Sequence, residues 1–246
     1  MGSRPAPRGR EGFQVKVLGI VGGIGPDSTI DYYRSIILQY RQAAADGASP
    51  ALLIRSVDVN VLVGLMTQAR YPEVVTYLNA AIASLAAAGA DFAIISANTP
   101  HIVFDELQAL SPIPLLSIVE ATCQAAKASQ LRRLALIGTR FTMKGDFYPR
   151  VFSKEGIELI VPSDDEQDYI HEIYLGELLK GTFLPDTRQR LCKIVERLAR
   201  DHGIQGTILA GTELPLLLDG VTAVAGVPFL DTTQIHVQAA VAELLR

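Results

Sequence analysis

The chain has 246 residues, of which 49% are hydrophobic, and its formal net charge at pH 7 is -4. This hydrophobic content is enough for a buried core, and the length suits one large domain or two small ones. The charge leaves no basic surplus to neutralise phosphates, which argues against nucleic acid as the main partner, so we expect a small ligand.

The N-terminal segment MGSRPAPRGREG is polar and is not followed by an apolar signal core, so we expect residues 1–14 to form a disordered tail. Polar residues interrupt the longest apolar stretch, 78–97, and we therefore expect no membrane span. Cys123 and Cys192 lie far apart, without a CxxC pattern or a neighbouring histidine. This predicts neither a disulfide nor a metal site, and it fits a reducing cytoplasm.

Short runs rich in Val, Ile and Leu alternate with longer amphipathic stretches, which predicts an α/β fold of parallel strands joined by crossover helices. The predicted strands are residues 15–22, 51–59, 91–98, 114–118, 133–139, 157–162, 206–212 and 228–233. The predicted helices are residues 27–41, 71–88, 120–128, 168–180, 186–202 and 234–245.

The order of these elements repeats along the chain. LGIVGGIGPDST and LALIGTRFTMKGDF each read as a strand, a tight turn and a helix start that bears threonine, at an offset of 116 residues. DFAIISANTPH matches GTILAGTELP at an offset of 114, and ALLIRSVDV roughly matches IELIVPSDD. Two similar halves related by pseudo-twofold symmetry are implied, each with a parallel sheet and with ligand-facing loops at the carboxyl ends of its strands.

The repeat also predicts the domain organisation. We expect a first α/β domain from residues 15–117 together with residues 227–246, and a second from residues 118–226. The final helix would then pack back on the first domain. The site should lie in the cleft between the two domains.

Four loops at strand ends combine small residues, hydroxyl groups and free backbone N–H groups at the start of a helix. They are GGIGPDST (22–29), SANTPH (96–101), GTRFTM (138–143) and AGTELP (210–215). This arrangement is typical of sites that hold a carboxylate or a phosphate. We therefore expect an anionic ligand.

A purely structural interpretation is open for these loops. The glycines of the first allow a tight turn with Asp27 as a helix cap, and Asn98 and Thr99 can cap the helix that begins after them. Thr212 can be a cap with Glu213 in the first helical turn, where a negative charge is favourable. The equivalence of the second and fourth loops across the repeat favours a ligand held from two sides.

Together these motifs resemble the cofactor-independent aspartate/glutamate racemases, from Leu18 to Leu245. GGIGPDSTIDYYR resembles the opening glycine loop and first helix of the family, and SANTPH resembles its Cys-Asn-Thr loop. GTRFTMKGDFY resembles the central Gly-Thr motif, GTELPLL the Cys-Thr-Glu motif and FLDTTQIHVQAAV the closing helix. The resemblance implies two similar α/β domains with the site between them, an amino-acid substrate, no cofactor and, often, a homodimer.

Racemases of this family use two thiols on opposite faces of the substrate α-carbon, one to remove a proton and one to return a proton. Both cysteines are missing here. The first position falls on Ser96 or Ala97 and the second on Gly211. Cys123 and Cys192 lie in predicted helices away from these loops, so the two-thiol mechanism is not open to this chain.

The candidate site residues follow from the resemblance and from the four loops. The catalytic candidates are Ser96, Ala97 and Gly211, at the cysteine positions, with Asp27, Thr212 and Glu213. The substrate-binding candidates are Gly23, Ile24, Ser56, Asn98, Thr99, His101, Thr139, Arg140, Thr142 and Tyr169. We expect no metal ligands.

Three of these residues carry specific expectations. A buried carboxylate with a raised pKa could act as the base in place of a thiol, and Asp27 and Glu213 occupy equivalent-looking positions in the two halves. Relatives that act on aspartate grip its side-chain carboxylate with a basic residue where this chain has Tyr169, which disfavours aspartate and glutamate as substrates.

The sequence therefore predicts an isomerase or racemase of an amino acid or a related small carboxylate, with a non-thiol acid/base mechanism. Two alternatives stay open. One is another acid/base reaction in the same cleft, catalysed by a lyase, a decarboxylase or a cyclase. The other is a catalytically silent homologue that binds an amino acid.

Overall fold

The computed structural model describes residues 16–44 and 48–246, and the expected tail at residues 1–14 lies outside these ranges. Two mainly parallel sheets with flanking helices build an α/β fold, as predicted. Within the described ranges, no helix is both long enough and apolar enough to cross a lipid bilayer.

The first sheet contains four parallel strands in the order β2-β1-β3-β4. Its strands are β1 (Val17–Gly22), β2 (Ala51–Ser56), β3 (Phe92–Ile95) and β4 (Leu115–Leu116). The helices that belong to it are α1 (Pro26–Ala43), α2 (Val59–Thr67), α3 (Tyr71–Ala87) and α4 (Phe104–Leu110), with a 3-10 helix at Thr99–Val103.

The second sheet has the order β6-β5-β7-β9-β8, and its pairs are parallel except for β8 with β9. Its strands are β5 (Arg133–Gly138), β6 (Glu158–Ile160), β7 (Gly206–Ala210), β8 (Ala223–Val224) and β9 (Val227–Asp231). The remaining helices are α5 (Ile118–Ala128), α6 (Arg140–Lys144), α7 (Phe147–Phe152), α8 (Asp164–Gly176), α9 (Pro185–His202), α10 (Leu214–Leu217) and α11 (Thr232–Leu244), with 3-10 helices at Ser153–Glu155 and Leu178–Lys180.

The register of the two sheets agrees with the repeat read from the sequence. Val21 of β1 is paired with Ile95 of β3. The residues at the predicted offsets of 116 and 114 are Ile137 and Leu209, and they are paired in the same way between β5 and β7. Equivalent loops of the two halves therefore leave equivalent strands.

The central strands form because their residues are apolar on both faces. Every residue of β3 and of β7 is buried, as parallel strands covered by helices on both sides require. Polar residues then begin the helices that follow. Ser117 caps α5 by accepting a hydrogen bond from Glu120 N, and Ser163 and Glu166 form a reciprocal capping box at the start of α8.

Many of the predicted bounds differ from those in the structure, and two cases have a clear local description. The strand predicted at 51–59 ends at Ser56, because Asp58 accepts a hydrogen bond from Asn60 N and begins helix α2, which the sequence analysis did not predict. The helix predicted at 168–180 begins four residues earlier, at Asp164, and its last turn is a 3-10 helix, Leu178–Lys180.

The C-terminal segment 227–246 contacts both halves. Its helix α11 packs on the first half, where Val237 and Leu244 share a core with Leu18 and Ile36. Strand β9 pairs with β7 and so belongs to the second sheet, while the domain boundary expected at residue 227 stays a prediction.

Candidate active site

A pocket lies beyond the carboxyl ends of β1, β3, β5 and β7, where the loops of the two halves meet. Its empty space is about 480 Å³, counting the part that is open to solvent. Eight of the predicted site residues line it: Ile24, Ala97, Asn98, Thr99, Thr139, Gly211, Thr212 and Glu213. The structure thus brings the second and fourth loops together on one cavity, at the location favoured for ligands in parallel sheets.

The loop after β3 separates Ser96 from Ala97. Ser96 is fully buried, and its hydroxyl donates a hydrogen bond to the Val21 carbonyl at 3.2 Å, so it faces the sheet rather than the pocket. Ala97 lines the pocket. The first of the two cysteine positions of the resemblance is therefore represented in the pocket by the methyl group of Ala97, which cannot transfer a proton.

The loop after β7 has an unusual contact at Gly211. A Cβ atom built on Gly211 would lie 2.5 Å from Cε2 and 2.7 Å from the hydroxyl oxygen of Tyr174. A larger residue at 211 is excluded unless Tyr174 moves, because real side chains do not approach this closely. Tyr174, from α8, thus occupies the space into which a side chain at the second cysteine position would project.

Tyr174 and Glu213 form a buried hydrogen-bonded pair. The Tyr174 hydroxyl donates a short hydrogen bond to Glu213 Oε2, and the Thr212 hydroxyl donates to the same oxygen at 3.0 Å. Both side chains line the pocket, with 5% of Tyr174 and 1% of Glu213 exposed. Their hydrogen bond joins a phenol and a carboxyl group, which is an arrangement that can relay a proton.

Burial controls the protonation of this pair. Loss of hydration raises the pKa of Glu213 above its ordinary value, and the hydrogen bonds from Tyr174 and Thr212 only partly offset this effect. Burial also raises the pKa of Tyr174 well above its ordinary range, and the neighbouring Glu213 carboxylate adds to the rise. The phenol therefore keeps its proton, and the carboxyl group binds a proton more readily than it does in water.

The other oxygen of Glu213 contacts the glycine loop of the first half. A Cβ on Gly25, whose φ is +90°, would collide with Glu213 Oε1. Gly25 is therefore required both by its positive φ and by this close approach. Oε1 has no hydrogen-bond partner of good geometry among the described residues, although the Ser28 hydroxyl lies nearby. The acid of one half is thus enclosed by the other half.

Three threonine hydroxyls connect the two halves beside the pocket. Thr99 Oγ1 lies 2.9 Å from Thr139 Oγ1 and 3.3 Å from Thr142 Oγ1. Thr99 and Thr139 line the pocket, whereas Thr142 stands behind them as a fully buried partner. Hydroxyls and the N–H groups of the same loops suit a carboxylate, since both can donate hydrogen bonds to it.

Asn98 holds the pocket loop in place. Its amide nitrogen donates to Thr232 Oγ1 at 3.0 Å, and its amide oxygen accepts from the Tyr148 hydroxyl at 2.6 Å. The Asn98 side chain is 2% exposed. Its contacts with α7 and α11 explain the need for an amide, which offers a donor and an acceptor at once.

His101 lies outside the pocket lining and has a structural role. Its Nδ1 donates to the Ala97 carbonyl at 3.0 Å, and its Nε2 accepts from Ile118 N at 3.3 Å. Burial lowers the pKa of His101 to about 3, and the neighbouring His236 contributes to the fall. His101 is therefore a neutral bridge that fixes the carbonyl of Ala97.

Further predicted site residues lie away from the lining. Asp27 is exposed, and Gly23 has a φ of +82° that lets it approach Ser56 and Val57. Arg140 is bound by Asp168. These residues do not line the pocket.

Tyr169 does not line the pocket. The guanidinium carbon of Arg190 lies 3.6 Å from the centre of its ring, which is a cation–π contact. Tyr174, which the sequence analysis missed, is the tyrosine of α8 that lines the pocket. Helical spacing could have separated the two tyrosines, because residues five positions apart lie on different faces of a helix and only one of those faces can line the pocket.

The pocket also has an apolar wall that the sequence analysis missed. It consists of Val59, Leu62, Val63 and Met66 from α2, with Phe141, Leu175 and Leu179. The α2 positions have the i, i+3, i+4, i+7 spacing of one helix face, which was visible in the sequence. Across the parts of the chain that the structure describes, no group of three or more His, Cys, Asp or Glu side chains could hold a metal ion.

Comparison with known proteins agrees with this geometry. The sequence model of the Asp/Glu/Hydantoin racemase family matches residues 21–240. The fold is similar to a crystal structure of a candidate Asp/Glu racemase from Yersinia pestis, with a TM-score of 0.83 and 34% identity, covering 94% of this chain and 100% of that one. An aspartate racemase homologue from Pyrococcus horikoshii has a TM-score of 0.79 and 30% identity, again covering 94% and 100%.

A curated relative extends the similarity to a protein of named activity. The broad specificity amino-acid racemase of Bacillus subtilis is 23% identical over 233 residues, which are 93% of this chain and 98% of the relative. The match spans both halves and every loop around the pocket.

Proposed function

Because the chain belongs to the Asp/Glu/Hydantoin racemase family, we propose that it is an amino-acid racemase that works without pyridoxal phosphate and without thiols. The observation that carries the proposal is that Ala97 and Gly211 line one pocket together with a buried acid and a set of hydroxyls. The substrate would be an amino acid or a related small carboxylate. Its α-carbon would lie between the loops of the two halves, which we propose are related by pseudo-twofold symmetry.

Tyr174 and Glu213 are proposed to replace the second thiol. The Tyr174 oxygen lies 2.7 Å from the site of a Cβ on Gly211, close to where a cysteine sulfur would project. In the forward step, the α-proton passes to the phenol oxygen while the phenol proton passes to the Glu213 carboxylate. Reprotonation reverses both transfers. The phenol never becomes a free phenolate, which its raised pKa would disfavour.

The first thiol has no titratable counterpart on the side of Ala97. Of the described lining residues, only Tyr174 and Glu213 titrate. On that face the carbanion would therefore take its proton from solvent, next to the Thr99 and Thr139 hydroxyls. This asymmetry predicts that one enantiomer exchanges its α-proton with solvent faster than it inverts.

Carboxylate binding is proposed to use the Thr99 and Thr139 hydroxyls and the backbone N–H groups of their loops and of the loop that contains Thr212. A carboxylate held there would have its α-carbon near the Tyr174 hydroxyl, because all four residues line the same small cavity. Holding the reacting groups in contact contributes much of the rate of such a proton transfer.

The test is α-proton exchange in deuterated water, followed by NMR, with a panel of L- and D-amino acids. We expect exchange by the wild type and a loss of at least about 100-fold in Tyr174→Phe and Glu213→Gln, the usual range for removing an acid/base group. Asp27→Asn, which alters an exposed carboxylate, should retain exchange. No exchange across the panel would refute the racemase proposal, and a change in product mass would indicate a lyase, a decarboxylase or a cyclase.

We further propose a homodimer, formed through the exposed apolar side of α1. Ile30, Tyr33 and Leu38 of this helix are 56%, 44% and 58% exposed, and Ile30 lies within about 80° of each of the other two around the helix axis. Large exposed apolar side chains on one face favour association. Light scattering of the wild type and of Leu38→Glu would test this.

A cytoplasmic location is also proposed, supported by free Cys123 and Cys192 in separate helices.

A further inference from the structure

The apolar wall bears on which amino acid fits the pocket. Val59, Leu62, Val63 and Met66 present one face of α2 to the cavity, and Leu175 and Leu179 approach from α8 and the 3-10 helix after it. The opposite face of α2 meets solvent, where Val61 is 44% exposed. Leu62 and Met66 also belong to the core of the first half, whereas Val59 and Val63 are only half-buried and leave apolar surface facing the cavity.

No cation faces this wall within the part of the chain that the structure describes. Lys, Arg and His are absent from the lining. Two basic residues are adjacent in sequence to lining residues, Arg140 beside Thr139 and Phe141 and Lys180 beside Leu179, and neither lines the cavity. The Arg140 guanidinium is held by Asp168 at 2.8 Å, and Lys180 is exposed. An acidic side chain placed against the wall would lose its hydration without gaining a charged partner, and this is strongly unfavourable.

We infer that the substrate is an amino acid with an apolar, unbranched or thioether side chain that packs against α2, while its carboxylate is held by the threonine hydroxyls. The inference rests on the proposed function for its catalytic part, but the binding preference stands apart from turnover. The wall provides the specificity. An aliphatic chain is dehydrated there at no electrostatic cost, and each methylene that contacts the wall adds favourable burial.

The first experiment measures binding by calorimetry and exchange by NMR in one homologous series: alanine, 2-aminobutyrate, norvaline and norleucine, with aspartate and glutamate for comparison. We expect about a fourfold gain in affinity for each added methylene. Aspartate and glutamate should bind at least about 100-fold more weakly than norleucine.

The outcomes separate the two proposals. Binding of norleucine without any exchange would support the apolar wall and refute the racemase. Exchange restricted to aspartate and glutamate would support the racemase and overturn the apolar substrate. Failure of norleucine to bind, or affinity for aspartate equal to that for norleucine, would also overturn it.

A charge placed in the wall provides the second experiment. Val63 is half-buried on the pocket face, and Val61 is exposed on the same helix, so Val63→Lys and Val61→Lys are a matched pair. We expect Val63→Lys to weaken norleucine at least about tenfold and to strengthen aspartate, since the ammonium group supplies the missing partner. Val61→Lys should change neither.

If Val63→Lys fails to fold in a thermal melt, Val63→Ala replaces it. That variant should weaken norleucine about tenfold, because two carbons of the wall are removed, and should leave aspartate unaffected. Equal changes in norleucine affinity in the Val63 and Val61 variants would contradict the inference that the substrate side chain packs against this face of α2.

Discussion

Lowering the pH should weaken the fold through two buried histidines beside the pocket loop. His101 bridges the Ala97 carbonyl and Ile118 N, and His236 donates from Nε2 to the Leu116 carbonyl at 2.9 Å. Both rings are fully enclosed, with 1% and 0% exposed. Burial lowers the pKa of His101 to about 3 and the pKa of His236 to about 4.

The sign and the size follow from linkage. Because an unfolded histidine takes up its proton near pH 6.5, the unfolded state binds more protons than the native state below that pH, and the free energy of unfolding decreases. Each histidine contributes about 1.4 kcal/mol per pH unit in this window, or about 2 kcal/mol by pH 5. The loss continues down to the folded pKa values, and above pH 7 the contribution is constant.

The assay is urea unfolding at pH 7 and pH 5 of the wild type, His236→Gln and His202→Gln. Glutamine can still donate to the Leu116 carbonyl but has no charge to gain, and His202 is exposed. The buried carboxyls Glu213 and Asp231, whose pKa values burial raises, act in the opposite direction, so the comparison between variants is the informative quantity. They are present in all three proteins.

The stability difference between the wild type and His236→Gln should fall by about 2 kcal/mol from pH 7 to pH 5. The difference between the wild type and His202→Gln should stay constant. An equal shift in both variants, or no shift in His236→Gln, would refute the reasoning that these histidines are held neutral by burial.

Three further predictions concern the pocket. Gly211→Ala should lower the free energy of unfolding by about 1–3 kcal/mol in urea melts, because its Cβ meets Tyr174, whereas Gly64→Ala, with open space around it, should raise it by up to about 1 kcal/mol. Asn98→Ala should cost about 2–4 kcal/mol, since it removes the buried acceptor of the Tyr148 hydroxyl and the amide donor to Thr232, and a calorimetric melt would detect this. Ala97→Cys should raise the rate of inversion relative to exchange, because it restores a titratable group on the first face, and an unchanged ratio in the NMR assay would count against that geometry.

Much of the fold was predictable because its signals are local. Apolar runs such as that of β7 are typical of strands buried on both faces, and turn residues mark where they end. The offsets of 116 and 114 residues predicted which strands correspond, and the strand register agrees with these offsets. The bounds were less predictable. Strand β2 ends at Ser56 and Asp58 caps the start of α2, because a side-chain cap can override the strand propensity of neighbouring residues.

The candidate site was predictable as a set of loops but not as a set of contacts. Tyr169 and Tyr174 are equally aromatic and lie in one helix, yet a separation of five residues turns them by about 140°. One therefore packs under Arg190 and the other lines the pocket. Likewise, Asp27 and Glu213 look equivalent in sequence, but one is exposed and the other is buried.

The sequence by itself determined the class of fold, the repeat, the family and the loss of both thiols, because these depend on residue identity and spacing along the chain. Only the tertiary structure decided which side chains lie near the two positions where the family has its cysteines. Tyr174 and Glu213 are 39 residues apart and meet because α8 packs against the end of β7. The same packing explains why residue 211 is glycine, because the Tyr174 ring fills the space that a side chain at 211 would need. No local sequence pattern predicts a contact between residues so far apart in the chain.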